Sequence, residues 1–382
     1  MEKIQCRLGD LFFRFSSGKG IASSEINDDD LYPVIGGNGL RGYTRTYNVE
    51  TPCVAVGRQG AYCGNVKYIS EKAYMTEHAI VGIANNKNDT KFLSYYLGTL
   101  ELGRFSGQAA QPGLSVEKLK KVRVEVPPLP IQQKIANILS TYDALIQNYK
   151  NQITALQTAA SELYKEWFVR FRFPGHKTAK FENGLPVGWK VERIGNLYKT
   201  SSGGTPSRTN DSFYINGIYP WIKTGELNDL PIISTEEMIT EEAVSKSSAK
   251  LFPKDSLIIA MYGATIGQLG INKMPSTCNQ ACCVLQPIEN KAYGIYYLYN
   301  FFKENRTYII GLANGAAQQN LSQILISKLK SINPSKDLLV KFEEKENFIF
   351  EKIYFLQQQI TNLTQQRDLL LPRLMSGKLE IE

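Results

Sequence analysis

From Ile131 the apolar positions run Ile131, Ile135, Ile138, Tyr142, Leu145, Tyr149, Ile153, Leu156, Ala160, Leu163 and Trp167, in steps of 4, 3, 4, 3, 4, 4, 3, 4, 3 and 4. That spacing predicts a helix with a heptad seam and one stutter. About 37 residues without Gly or Pro make a rod of roughly 55 Å at 1.5 Å per residue. Proline disfavours helix just before itself, so the helix is expected to start after Pro130. A second stripe carries Phe342, Ile349, Ile353, Leu356, Ile360, Leu363, Leu370 and Leu374, and Pro372 is expected to bend or end that helix. A long helix with one apolar stripe must bury it, so the two are expected to pack together. The expected core of the pair is the stripe from Ile135 to Leu163 on the first helix and from Ile349 to Leu370 on the second. Only 18 residues lie between Arg170 and Trp189; they span at most about 60 Å fully stretched. Parallel packing would need that linker and the following segment to retrace the rod, whereas antiparallel packing needs a local turn. The pair is therefore expected to be an antiparallel coiled coil.

Before each helix the period changes. Runs such as Cys53-Val54-Ala55-Val56 and Leu257-Ile258-Ile259-Ala260, set among Gly, Asn, Tyr and Thr, read as strands of mixed α/β heads. The heads are two copies of one unit. Residues 107–115 read Gly-Gln-Ala-Ala-Gln-Pro-Gly-Leu-Ser and residues 314–322 read Asn-Gly-Ala-Ala-Gln-Gln-Asn-Leu-Ser, so Gln111 maps to Gln318 with an offset of 207 (318 − 111). The same offset takes Pro127 to Pro334 and Gln152-Ile153-Thr154-Ala155-Leu156 to Gln359-Ile360-Thr361-Asn362-Leu363. Leu8-Gly9-Asp10-Leu11 matches Ile194-Gly195-Asn196-Leu197, Tyr32-Pro33-Val34-Ile35 matches Tyr219-Pro220-Trp221-Ile222, and Gly60 and Gly64 match Gly263 and Gly267. Repetition at Gln111 and Gln318 suits a shared head–helix junction, and Ser115 and Ser322 are candidate caps of a short helix there. The fold class is α+β: two mixed globular heads separated by an antiparallel pair of long helices, a tandem repeat with approximate two-fold symmetry. Expected boundaries are 1–127 for the first head, 128–170 for the first long helix and 171–188 for a linker. The second head then covers 189–334, and the second long helix with its C-terminal segment 335–382.

Composition narrows the function. Apolar content of 43% with 21% charged residues fits a folded chain, and a formal net charge of +8 suits a polyanionic partner. Cys6, Cys53, Cys63, Cys278, Cys282 and Cys283 show no C-x-x-C spacing and there are two histidines, which argues against a zinc site and for thiols in a reducing cytoplasm. No secretory signal and no membrane span are expected. Gly37-Asn38-Gly39-Leu40-Arg41-Gly42 matches Gly-x-Gly-x-x-Gly, yet Tyr43 to Val56 reads as strand, leaving no helix to hold a pyrophosphate. His78 with Cys53 or Cys63 has no third group to orient it as a nucleophile pair. Two unlike heads on one ruler match duplex DNA, whose backbone has its own two-fold symmetry. The expected target is bipartite and asymmetric, two short elements around an unread spacer.

The chain resembles the specificity subunit of type I restriction–modification enzymes. The resemblance is carried by Pro127-Pro128-Leu129-Pro130-Ile131-Gln132-Gln133-Lys134-Ile135-Ala136 and Glu166-Trp167-Phe168-Val169 in the first long helix. Leu185-Pro186-Val187-Gly188-Trp189 resembles the start of the second target-recognition domain, and Leu370-Leu371-Pro372-Arg373-Leu374-Met375-Ser376-Gly377 the C-terminal segment. Leu338-Leu339-Val340-Lys341-Phe342 departs from the family's glutamine-rich opening of the second helix. The resemblance implies a non-catalytic, cytoplasmic subunit that binds double-stranded DNA, two methyltransferase subunits and, for cleavage, restriction (motor–nuclease) subunits. It implies no cofactor on this chain, with S-adenosylmethionine, ATP and Mg bound by the partners. A specificity subunit of a type II system has the same build, and a coiled-coil scaffold with protein-gripping heads is the rival of a different class.

The resemblance transfers no base-contacting residue, so chemistry has to nominate them. Base edges call for Arg, Lys, Asn or Gln, and phosphates accept cations, hydroxyls and backbone amides. In the first head these are Arg41, Tyr43, Arg45, Arg58, Gln59, Tyr62 and Lys67; in the second, Arg208, Lys223, Thr224, Tyr262, Thr265 and Gln268. Gly57–Gly60 and Gly263–Gly267 would let backbone approach a phosphate closely.

Overall fold

A computed structural model of the chain describes residues 3–60, 62–107, 113–291, 294–313 and 320–379. Gln111 and Gln318 lie outside the described residues. The chain divides into two compact units, 1–146 with 362–382, and 147–361. Each unit holds one head and a stretch of both long helices.

In the first unit, strand Ile4–Arg7 pairs antiparallel with Arg123–Val126. A four-stranded sheet follows in the spatial order Phe12–Ser17, Ala79–Ala84, Cys53–Gly57, Val66–Ile69, beside a three-stranded sheet ordered Gly39–Thr44, Tyr32–Gly36, Tyr74–Met75. Helix Thr90–Thr99 buries Phe92, Leu93 and Leu97 completely and is capped by Asp89, which accepts the Phe92 N–H at 2.7 Å. The second unit repeats this order strand for strand. Lys190–Arg193 pairs with Lys330–Asn333; the larger sheet runs Tyr198–Ser202, Cys282–Pro287, Leu257–Ala260, Leu269–Asn272; the smaller runs Met238–Ile239, Tyr219–Ile222, Thr277–Cys278. One strand is added, Leu230–Ile232, parallel to Leu269–Asn272 at the sheet edge. Its preceding residue Asp229 fastens it: the carboxylate meets Arg306 Nη1 at 2.9 Å, and the carbonyl accepts Tyr299 Oη at 2.8 Å and Gln157 Nε2 of the long helix at 2.9 Å. Ser115 and Ser322 each cap the short helix after them, accepting the N–H of Lys118 and Leu325.

The first long helix runs Leu129–Tyr164 and continues through a π-helical turn, Lys165–Val169; the second runs Lys336–Ser376. Adding 207 to 129 and 169 gives 336 and 376, so the repeat governs helix length as well as sequence. Pro130 is inside the first turn rather than before it, where a missing N–H leaves no bond unmade. Pro372 lies within the second helix and does not end it.

The pair is antiparallel within each unit. In the first, Ile135, Ala136 and Leu139 near the start of one helix share a core with Leu374 and Met375 near the end of the other, and Asp143 accepts Arg367 Nη1 at 2.6 Å and the Tyr95 hydroxyl. In the second, Tyr164, Trp167 and Phe168 pack with Leu338, Leu339 and Phe342. The buried line on the first helix is Gln132, Leu139, Ile146, Ile153, Ala160 and Trp167, an unbroken series of sevens without a stutter. The expected seam holds at Ile135, which is completely buried, and is corrected between there and Tyr149, where Leu139 and Ile146 are buried rather than Ile138, Tyr142 and Leu145. Leu145 is 38% exposed, on the solvent side; Ile138 is partly buried against the core that the first head shares with both long helices, and Tyr142 is half-buried. Farther along, Ile153, Ile353 and Leu356 form a core joined by Tyr149, Leu156, Ile349 and Ile360, while Leu163 joins the aromatic cluster and Leu370 the first head's core. Leu363 is half-buried. The residues 207 further on are Leu339, Glu346, Ile353, Ile360, Arg367 and Leu374, so two charged residues occupy the second helix's copy of the line.

Glu346 is completely buried, and Asn300 Nδ2 donates to its Oε2 at 3.1 Å. One turn earlier, Glu343 accepts the backbone N–H groups of Tyr296 and Tyr297 at 3.1 and 2.7 Å, capping helix Tyr296–Glu304 from another element. Burial pushes Glu343 up to about 7 and Glu346 up to about 8, with Glu343 adding to the Glu346 shift and Lys303 opposing it. Both folded values exceed the unfolded carboxyl value. The folded second unit therefore holds the extra proton, and stability falls as pH rises from about 4.5 to 8. Glu346→Gln is expected to leave stability near pH 5 almost unchanged and to raise it at pH 8.5 by on the order of 2–4 kcal/mol. Urea midpoints across that range test this, and a variant profile parallel to wild type would contradict it.

Candidate nucleic-acid interface

Strands Cys53–Gly57 and Val66–Ile69 are joined by a glycine turn whose hydrogen bonds recur, residue for residue, between Leu257–Ala260 and Leu269–Asn272. Gly57 N donates to Asn65 O at 2.8 Å and Ala260 N to Gln268 O at 2.9 Å; Gly64 N donates to Gly57 O at 2.8 Å and Gly267 N to Ala260 O at 2.9 Å. Arg58 N reaches His78 O and Met261 N reaches Ala281 O, both at 2.9 Å. The φ angles agree too: 82° and 92° at Gly60 and Gly64, 85° and 77° at Gly263 and Gly267. Only glycine adopts these without strain. A Cβ on Gly57 would stand 2.4 Å from Gly37 O, so the first head's turn and its Gly36–Gly39 hairpin approach backbone to backbone. Between them lies a groove of about 300 Å³ lined by Gly37, Asn38, Asn65 and Lys67. The hairpin continues as strand, with no helix to bind a dinucleotide phosphate.

On this common backbone the side chains differ. Gln59 corresponds to Tyr262, Tyr62 to Thr265, Asn65 to Gln268, Glu77 to Gln280 and His78 to Ala281. In the first head His78 Nδ1 pairs with Gln59 Oε1 at 2.8 Å while its Nε2 lies 3.2 Å from Glu77 Oε1. His78 thus orients an amide rather than a thiol, and burial pushes the Cys53 thiol up to about 11. Arg41 is exposed and folds over Gly36, Lys67 borders the groove, and Tyr62 is half-exposed; these surround the turn. Tyr43 is half-buried and its backbone is bonded to Asn27. Arg45 reaches out to Asp30 at 3.3 Å, and Arg58 turns back to the carbonyls of Leu114 and Glu77 at 3.4 and 3.5 Å.

In the second head, Tyr262, Thr265 and Gln268 share the turn, with Tyr262 the exposed member. Arg208 and Lys223 form a separate cluster. Arg208 stacks on Tyr214 and Trp221, 4.7 and 4.8 Å from the ring centres, and grips Glu237 at 2.5 Å; Lys223 meets Glu236 at 2.7 Å and Glu237 at 3.1 Å. Arg208 holds the Glu237 carboxyl below its usual value. Thr224 is half-buried where a short 3₁₀ turn begins. Sequence reasoning missed the Gln59–His78–Glu77 chain and the acid pair. His78 was considered there only beside the cysteines, and nothing local marks Glu237, 29 residues from Arg208.

The profile of the type I restriction modification DNA specificity domain matches residues 2–157 and 186–337. The type I restriction enzyme MjaIX specificity subunit of Methanocaldococcus jannaschii is 31% identical over 302 residues, covering 77% of this chain and 68% of that protein. The HindI specificity subunit of Haemophilus influenzae is 24% identical over 329 residues (70% and 71% covered). The EcoR124I/EcoR124II specificity subunit of Escherichia coli is 29% identical over 284 residues (70% and 66%). Among solved structures, the type I restriction–modification S subunit from M. genitalium matches at a TM-score of 0.68 and 17% identity, over 100% of this chain and 97% of that one, a likeness of fold.

Proposed function

The chain belongs to the type I restriction–modification DNA specificity family, and from that premise we propose that each of its heads reads one half of a bipartite, asymmetric DNA site. One observation carries the reading. A single glycine turn, with the same φ angles and hydrogen bonds, is built twice and dressed with different side chains. Bases in two unlike half-sites require different hydrogen-bonding groups, while the approach of protein backbone to duplex can be shared. The subunit itself contributes recognition. Two methyltransferase subunits with S-adenosylmethionine, and restriction subunits with ATP and Mg, supply the chemistry in the cytoplasm. No described helix is long and apolar enough to cross a membrane.

The test is to co-express the chain with a methyltransferase subunit and map the methylated bases. The expected product is a two-part motif with an unread spacer, and exchanging the first head alone should change one part. A single continuous motif, or both parts changing together, would refute the assignment.

If the helix pair sets the spacer, its length is adjustable in whole heptads. Seven residues added to both long helices preserve the buried series and lengthen each by about 10.5 Å. The spacer should then grow by about three base pairs at 3.4 Å each. An unaltered spacer would show that something other than the helices sets the distance.

A further inference from the structure

The ribbon at the start of each head carries a cross-strand pair that sheets ordinarily avoid. Arg7 stands directly opposite Arg123, and Arg193 directly opposite Lys330. Opposed residues in an antiparallel pair share a face with Cβ atoms about 4.5–5.5 Å apart, and like charges there are destabilising. All four side chains are exposed, and none makes an ion pair with a described residue. In the first head Lys3, Arg7 and Arg123 line one groove of about 720 Å³ that Asp10 and Glu125 also line, three cations against two carboxylates. The acids nearest in sequence are otherwise engaged: Asp10 accepts the Arg7 backbone N–H at 3.0 Å and Glu125 accepts Gln5 Nε2 at 2.8 Å.

The same element does this in both heads. Leu8 N donates to Val122 O and Ile194 N to Leu329 O, each at 2.8 Å, and a Cβ on Gly9 or Gly195 would stand 3.0 Å from Lys120 or Ser327. The pair two positions along the ribbon, by contrast, differs between the heads: Gln5–Glu125 in the first, and in the second Val191–Ile332, whose Ile332 packs partly buried against the aromatic cluster. A repulsive pair is thus retained in both copies where the pair beside it and the reading turn have changed. A contact that differs between heads suits bases. One that is the same suits a group common to every half-site, and the phosphodiester is that group.

We propose that Arg7–Arg123 and Arg193–Lys330 are two sequence-independent phosphate clamps, each gripping the DNA backbone beside the half-site its own head reads. The proposal rests on the reading of this chain as a DNA-recognition subunit. Two cationic donors on one face can meet the two free oxygens of a phosphodiester. Replacement of Arg123 by Lys at the equivalent position, Lys330, favours phosphate over protein carboxylates: phosphate accepts lysine as a point charge, whereas a bidentate carboxylate fork distinguishes the two.

The test uses the full chain with its methyltransferase subunits and the variants R7Q/R123Q, R193Q/K330Q, all four together, and the conservative R7K/R123K. Fluorescence anisotropy follows a cognate and a scrambled duplex between 50 and 200 mM salt. The slope of log K against log salt should become shallower by about one per cation removed, hence about two for each pair. Affinity should fall by the same factor on both duplexes, the Lys variant should keep its slope, and melting temperatures should not drop, because a like-charge pair has been relieved. An unchanged slope, or a loss confined to the cognate duplex, overturns the proposal. Intact DNA binding with loss of methyltransferase co-elution also overturns it, assigning the cations to an acidic protein surface. A wild-type complex that binds neither duplex would instead refute the recognition role itself.

Discussion

Raising salt from 50 to 200 mM is expected to weaken the complex of the wild-type chain with duplex DNA by about 10³–10⁵-fold, the range for 6–10 phosphate contacts. The formal net charge of +8 makes such a footprint available, but the structure separates cations that can release DNA counterions from those that cannot. Arg208 and Lys223 are held by Glu236 and Glu237, Arg306 by Asp229, and Arg367 by Asp143 and Asp368. Drawing any of them to a phosphate would strand a carboxylate, so they should add little to the slope. Arg41, Lys67 and the four ribbon cations carry no such restraint. Neutralising Lys223 should therefore leave the slope nearly unaltered, whereas neutralising Arg41 should lower it. Anisotropy titrations at four salt concentrations measure both. A flat wild-type response would contradict an electrostatic footprint, and equal effects of the two substitutions would contradict the division between paired and free cations.

The features readable from residue order alone were those set by local periodicity and by repetition. Long apolar stripes, serine caps and turn glycines depend on neighbours a few positions away, and an offset of 207 carries them from one copy to the other. The phase of the stripe was harder to read. Ile138-Leu139 and Leu145-Ile146 are adjacent apolar pairs, and a helix that packs on a head as well as on a partner helix needs apolar residues on two neighbouring lines. Period alone cannot decide which line faces the partner; the structure places Leu139 and Ile146 on the more deeply buried one. Polar seam residues escape the same reasoning. Gln132 is buried because it donates to Asn88 Oδ1 and Pro127 O and accepts from Asp89 N, and Glu346 because it meets Asn300. Candidate DNA contacts suffered most, since Arg58, Arg208 and Lys223 are occupied by groups distant in sequence.

Phe342→Ala is expected to destabilise the second unit by about 3–5 kcal/mol, the usual range for truncating a buried aromatic ring. Phe342 is completely buried, its ring centre 4.9 Å from that of Phe168, 5.7 Å from Trp167 and 6.5 Å from Tyr297. The linker closes over this cluster. Phe171 and Phe173 pack against Trp189 at 5.9 and 5.1 Å, and strands Phe181–Glu182 and Leu185–Pro186 form a small hairpin, so the segment between helix and second head is part of the core rather than a tether. Removing one ring should loosen the helix pair, the linker and the first strand of the head together. Phe348, on the same helix but 75% exposed, serves as the control, and its truncation should change stability by less than about 0.5 kcal/mol. The chain's three tryptophans, Trp167, Trp189 and Trp221, all belong to the second unit, so intrinsic fluorescence in a urea titration reports that unit selectively. If Phe342→Ala moved the tryptophan transition no further than Phe348→Ala, the aromatic cluster would not be what joins the second head to the helix pair.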